Sequence, residues 1–71
     1  MKIIYTIHAL YRMSIREITK EMVEKVLSEP EKTGTGYRNR LLVWKSFEKG
    51  KIKVVYTIEN TNYVVISVMW E

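Results

Sequence analysis

Two stretches in the second half restrict this chain more than anything else in it. From Lys51 to Glu59 the apolar residues Ile52, Val54, Tyr56 and Ile58 share one parity, and Lys51, Lys53, Val55 and Thr57 share the other. A period of two belongs to a strand with one face buried. Tyr63 to Trp70 is rich in β-branched residues and apolar at both parities, which suits the interior of a sheet and not its rim. Only Asn60-Thr61-Asn62 separates the two runs, so they turn back on each other and pair antiparallel. A third run, Tyr37 to Phe47, contains Leu41, Leu42, Val43 and Trp44, and joins the second through Glu48-Lys49-Gly50, whose glycine tolerates positive φ.

The first half carries a different period. Lys2 to Tyr5 is a short apolar strand, and Thr6 is placed to cap a helix because its hydroxyl can accept from an unpaired amide of the first turn. Ile7, Leu10, Tyr11 and Met13 recur at near-helical spacing, with His8 and Arg12 on the neighbouring stripe, and this first helix ends near Ser14 to Glu17. Thr19 caps a second helix with Met22, Val23, Val26 and Leu27 inward and Lys20, Glu21, Glu24 and Lys25 in water. Pro30 stops it at about Ser28 or Glu29. Glu31 to Gly36, with Gly34 and Gly36, is the flexible connection to the sheet half.

The expected order is therefore strand-helix-helix-strand-strand-strand: a single α+β domain over residues 1–71, with an antiparallel sheet and two helices packed on one face. The opposite face is left open. A chain of 71 residues buries only roughly 60% of the surface its unfolded form exposes. With no Cys and only His8 as an imidazole, disulfides and structural zinc are excluded as staples, so self-association or a bound partner is an expected support. The hydrophobic content of 46% and charged content of 28% are those of a folded domain. No run approaches the roughly 20 apolar residues of a membrane span, and the apolar run at the N-terminus is too short for a secretory h-region, so the expectation is a cytoplasmic chain with no membrane partner. Eight Lys and eight Glu without Asp or Gln hint at a thermophilic source.

The net charge of +4 is unevenly placed. Residues 1–36 hold six Lys/Arg against five Glu, whereas residues 37–58 hold six, namely Arg38, Arg40, Lys45, Lys49, Lys51 and Lys53, against Glu48 alone. Basic charge concentrated on one hairpin is the footprint of a surface that meets phosphates, although edge strands also use Lys and Arg to stay soluble. Tyr37, Trp44, Tyr56 and Tyr63 are interleaved with these cations. Such rings suit RNA, where bases stack while cations hold the backbone, but a small core needs large aromatics too. If the hairpin register allows, Arg38 and Arg40 lie on one face with Lys51 and Lys53.

A second constellation lies in the first helix, where His8, Arg12 and Arg16 follow at steps of four and so stack along one side. An imidazole beside two guanidiniums can move a proton next to a clamped phosphate; the plainer alternative is a backbone-bonded histidine and arginines favouring a helix end. No phosphate loop, metal-ligand cluster, cysteine nucleophile or paired-carboxylate site accompanies them, and no cofactor is implied.

The residues His8-Ala9-Leu10-Tyr11-Arg12-Met13, then Arg16, Ile18-Thr19, Val23, Val26-Leu27 and Pro30, resemble the opening signature of a small bacterial and archaeal domain family marked by His-Ala-x-x-Arg-Met. Lys53-Val54-Val55-Tyr56 and Val64-Val65-Ile66-Ser67-Val68 resemble its closing strands. That family is similar to BrnT and the RelE/ParE toxins of toxin–antitoxin systems. The resemblance implies a compact domain whose toxic members cleave messenger RNA, often on the ribosome, with basic residues and sometimes Tyr or His instead of a metal. If a protein antitoxin exists, electrostatics favours an acidic segment that covers the basic face. Carried to this chain, His8, Arg12 and Arg16 become the catalytic candidates, with Arg38, Arg40 and Lys53 from the sheet, and the charge of the hairpin adds Lys45 and Lys51 to the RNA-binding set. Toxins of this type often continue past the last strand, whereas this sequence stops at Glu71. The alternative is a non-catalytic domain that binds a protein, or itself, through the open sheet face.

Overall fold

The computed structural model describes residues 2–71. Strand β1 (Ile3–Tyr5) leads into helix α1 (Ile7–Arg16) and helix α2 (Lys20–Ser28). Four strands follow: β2 (Lys32–Thr35), β3 (Leu41–Phe47), β4 (Gly50–Glu59) and β5 (Asn62–Trp70). They form one five-stranded sheet in the order β1-β5-β4-β3-β2. The α+β architecture and the strand-helix-helix-strand order are those expected.

Both helix starts are fixed by threonine. Thr6 Oγ1 accepts from the Ala9 amide at 3.0 Å, and Thr19 Oγ1 accepts from the Met22 amide at 3.1 Å. Helix α1 ends because Glu17 takes a left-handed conformation (φ 55°), and the Ile18 amide then bonds the Met13 carbonyl at 2.9 Å. This turn drives Ile18 into the core, the apolar contact that accompanies such caps.

Three expectations about the sheet are corrected. First, β1 runs parallel to β5, with Ile3, Ile4 and Tyr5 opposite Tyr63, Val64 and Val65, so the sheet is mixed, not antiparallel throughout. Two helices between β1 and the later strands return the chain to the same end of the sheet, which is what a parallel pair requires. Second, the glycine-bearing connection contains β2, paired antiparallel with β3. Thr33 and Thr35 supply β-branched positions, and Gly34 removes the side chain that would crowd Trp44: a Cβ there would stand 3.3 Å from the indole. Third, Tyr37 to Arg40 is not strand. Tyr37–Asn39 is one 3-10 turn, and Arg38 (φ 58°) and Asn39 (φ 62°) are left-handed, which reverses the chain into β3.

Alternation then sorts the side chains. Val43 on β3, Ile52 and Val54 on β4, and Val65 and Val68 on β5 point toward the helices and are buried with Ala9, Met13, Ile18, Val23, Val26 and Leu27. Fully burying each large aliphatic side chain contributes about 1.5–3 kcal/mol, so this layer is the source of stability. Tyr56 packs on the same side, as its parity predicts, its ring 5.4 Å from that of Tyr63 in an edge-to-face pair. A bulge interrupts β5: Val55 faces Ser67 but Tyr56 faces Val65, so Ile66 is the extra residue. Beyond Tyr5, β1 no longer covers the edge of β5, and α1 takes over. The Thr6 hydroxyl donates to the Ile66 carbonyl at 3.3 Å, and the Arg16 guanidinium donates to the Val68 carbonyl at 2.7 Å.

The inward face of α1 also differs from the one its apolar spacing suggests. Ala9 and Met13 are buried, whereas Ile7, Tyr11 and Ile15 are 87%, 61% and 56% exposed, and Leu10 stands out as well. The helix is pinned by Thr6 and Arg16 to β5, and that attachment selects the Ala9-Met13-Arg16 side for the core.

Candidate nucleic-acid interface

The helices cover the Val54 side of the sheet, so the side chains of opposite parity on β2 to β5 form its open face. Four of these lie in one row across the strands: Lys32 opposite Trp44, Trp44 opposite Lys53, and Lys53 opposite Met69. Trp44 is the centre of the row. The Lys32 ammonium lies 5.0 Å from its ring centroid and that of Lys53 5.7 Å, both within cation–π range. Gly34 leaves room for the indole, since a Cβ there would stand 3.3 Å from the ring. The indole N–H donates to the Glu71 carboxylate at 3.0 Å, and the same carboxylate lies 3.6 Å from the Lys53 ammonium. Trp44 is thus fixed from three directions.

The flanking rows are of two kinds. On one side, Leu42 and Val55 face each other and give a short apolar strip that runs on to Ser67, with Thr57, Val64 and Ile4 in the next row. On the other, Lys51 faces Ser46. Glu31 accepts the Ser46 amide proton at 3.1 Å, which, with the Lys45 and Lys51 charges adding to it, holds its carboxyl below the usual range. Lys51 is exposed and makes no ion pair among the described residues. Arg40, one residue before β3 and extended (φ −74°, ψ 147°), continues the alternation to the same face.

The other expected site residues lie elsewhere. Lys45 has the parity of Val43, so it stands on the helix side, where its ammonium donates to the Glu29 carbonyl at 3.1 Å and lies 3.9 Å from the carboxylates of both Glu29 and Glu31. Arg38 sits in the left-handed turn, exposed, and outside the sheet. His8, Arg12 and Arg16 do follow one another along α1, but α1 packs on the face opposite Lys51 and Lys53. Of these three, His8 is exposed, Arg12 half-buried, and Arg16 committed to the Val68 carbonyl. The convergence of helix and hairpin cations on one surface, which the sequence invites, is therefore not formed. Strand parity divides the cations between two faces, and packing gives the helix to the wrong one.

Two participants escape a reading of the sequence alone. Lys32 joins the row only because β2 exists and pairs in this register. Glu71 becomes a partner of Trp44 and Lys53 because β5 runs to Trp70 and delivers it there. A cue for the first was the threonine pair flanking Gly34; the second had none.

No curated protein and no solved structure matches the chain. Residues 5–70, nearly everything from β1 to the end of β5, do match one domain family, described as Domain of unknown function (DUF4258). The match takes in both helices and the whole sheet apart from its first residues, and the chain belongs to that family.

Proposed function

We propose that the domain binds a single-stranded RNA segment on the open face of its sheet. The observation that carries this reading is the Lys32–Trp44–Lys53 row. An indole on the open face with two ammonium groups over its ring offers one base a stacking partner and its neighbouring phosphates two counter-charges, once Lys32 leaves the ring and Lys53 leaves both the ring and Glu71. Lys51 and Arg40 extend the cationic track to either side. The apolar strip of Leu42 and Val55 gives a second base a place to lie without a hydrogen-bond code, so the expected preference is for unpaired strand over sequence.

Support for cleavage is weaker than support for binding. A metal-independent ribonuclease needs a proton-transfer group within hydrogen-bond reach of the ribose hydroxyl while cations hold the phosphate. His8 and Arg12, which the toxin resemblance would use, stand across the sheet from Trp44. This separation supports a binding module over an enzyme.

The test is anisotropy of a fluorescein-labelled single-stranded RNA at increasing salt. Stacking on an aromatic ring contributes about 1–3 kcal/mol per base, so Trp44→Ala is expected to weaken binding by about 5- to 150-fold. Lys32→Ala should lower the slope of log K against log salt by about one phosphate contact, while Lys45→Ala, on the other face, leaves it alone. A flat salt response, or loss of binding on Arg12→Ala with Trp44→Ala unaffected, would remove the open face from consideration.

A further inference from the structure

Helix α1 has two apolar sides. Ala9 and Met13 face the core, and Ile7, Tyr11 and Ile15, four residues apart, form a straight stripe on the side that faces away from it. Ile7 is 87% exposed, the second-highest exposure among the large apolar residues described. Such a continuous ridge on a short helix is more than the scattered surface leucine or isoleucine that any protein shows. Leu10 widens it on one flank; on the other lie His8 and Arg12.

We propose that this ridge is a self-association surface, on which a second copy of the chain packs α1 against α1, antiparallel, about a twofold axis through Tyr11. The pattern Ile-x-x-x-Tyr-x-x-x-Ile reads the same from either end. An isologous contact needs a self-complementary surface, in which residue i meets j while j meets i, and a ridge that is apolar along its whole length supplies one. Here Ile7 meets the second copy's Ile15, and Tyr11 meets its own counterpart.

Charge agrees with this direction. The first turn of α1 has no acidic residue to complement its positive helix end. An antiparallel neighbour brings its exposed Glu17, at the opposite end of the helix, toward that end. Arg16 is held by the Val68 carbonyl and so stays out of the seam. A ten-residue helix is about 15 Å long and cannot by itself supply the roughly 800 Å² per partner of a stable interface. The association is accordingly weak and concentration-dependent. It leaves the open sheet face of both copies free, and it stands or falls independently of RNA binding.

The absence of cysteine makes a direct test available, since any disulfide must come from an introduced residue. Tyr11→Cys is expected to give a covalent dimer on mild oxidation much faster than Glu48→Cys, which lies in an exposed turn outside the ridge. A mixture of Ile7→Cys and Ile15→Cys should cross-link to each other in preference to themselves. Sedimentation of the unaltered chain should show a monomer–dimer equilibrium between roughly 10 µM and 1 mM, and Tyr11→Glu should abolish it with an unchanged circular dichroism spectrum and the Tm that the unaltered chain has when dilute. A monomer throughout that range overturns the proposal. So does cross-linking of Tyr11→Cys no faster than Glu48→Cys, or a dimer that Tyr11→Glu leaves intact.

Discussion

Helices α1 and α2 are of nearly equal length, both begin at a threonine cap, and both lie on the same side of the sheet, yet they are attached in different ways. Helix α2 is held by burial: Val23, Val26 and Leu27 enter the core while Glu21, Glu24 and Lys25 face solvent. Helix α1 buries only Ala9 and Met13 and makes up the difference with polar links to the edge of β5, through Thr6, Arg16 and the Trp70 indole, whose N–H donates to the Arg16 carbonyl at 2.9 Å. The difference teaches that an apolar stripe at helical spacing identifies a helix without identifying its inward side. On α2 the stripe and the inward side coincide. On α1 the larger stripe points away, because a small residue, Ala9, allows close approach and the polar links set the rotation.

The strongest way to break this comparison is to truncate the inward residues. Met13→Ala in α1 is expected to cost about 2–5 kcal/mol, and Val23→Ala in α2 somewhat less because fewer atoms are removed. Ile15→Ala, although it deletes a residue of similar bulk, should stay within about 0.5 kcal/mol in dilute solution. Urea denaturation of the three variants measures all of this. Equal losses for Met13→Ala and Ile15→Ala would mean that α1 is rotated relative to the arrangement described.

The second test addresses the polar attachment. Arg16→Ala leaves the Val68 carbonyl without its donor and removes the guanidinium stem that crosses the edge of β5, at a cost of about 1–3 kcal/mol. Arg12→Ala, which breaks no hydrogen bond among the described residues, should cost much less. The contrast also separates structure from function along the His8-Arg12-Arg16 series, since a purely catalytic Arg16 would leave Tm unchanged.

How far the sequence reveals this molecule depends on the range of the signal. Local signals are legible: Thr6 and Thr19 as caps, Pro30 as a stop, the alternation of Ile52 to Ile58, and the interior character of Tyr63 to Trp70, which does lie between β1 and β4. What is hidden comes from pairing. The strand Lys32–Thr35 is short, polar and contains a glycine, so its β character arises from docking on β3 and from Trp44 filling the space over Gly34. The same pairing decides the candidate site. Lys51, Lys53 and Arg40 share the open face as the hairpin charge suggests, but Lys45 falls on the other parity and is neutralised by Glu29 and Glu31. The row His8, Arg12, Arg16 is real along the helix axis, yet nothing in the spacing says which side of the sheet that helix covers.

The smallest expected effect lies where α2 meets β1. The Tyr5 hydroxyl is buried and makes no hydrogen bond, the Lys20 ammonium lies 5.3 Å from the Tyr5 ring centroid, and Glu24 and Glu21 of α2 are close by. Burial first, then these two carboxylates, raise the phenol above its ordinary value of 10.0, so the folded state holds the proton more tightly than the unfolded chain. The stability tied to this difference is complete below pH 10.0 and is lost as pH rises from there through the folded value. Tyr5→Phe removes an unpaired donor along with its titration. Its Tm at pH 7 should equal or slightly exceed that of the unaltered chain, because deleting an unsatisfied buried hydroxyl recovers its desolvation cost. The fall in Tm between pH 9 and pH 11 should become shallower without vanishing, since burial and the nearby Tyr63 raise Tyr56 in the same direction. A clear loss of stability in Tyr5→Phe at pH 7 would show that the hydroxyl has a partner and that α2, like α1, is tied to its neighbouring strand by a polar link.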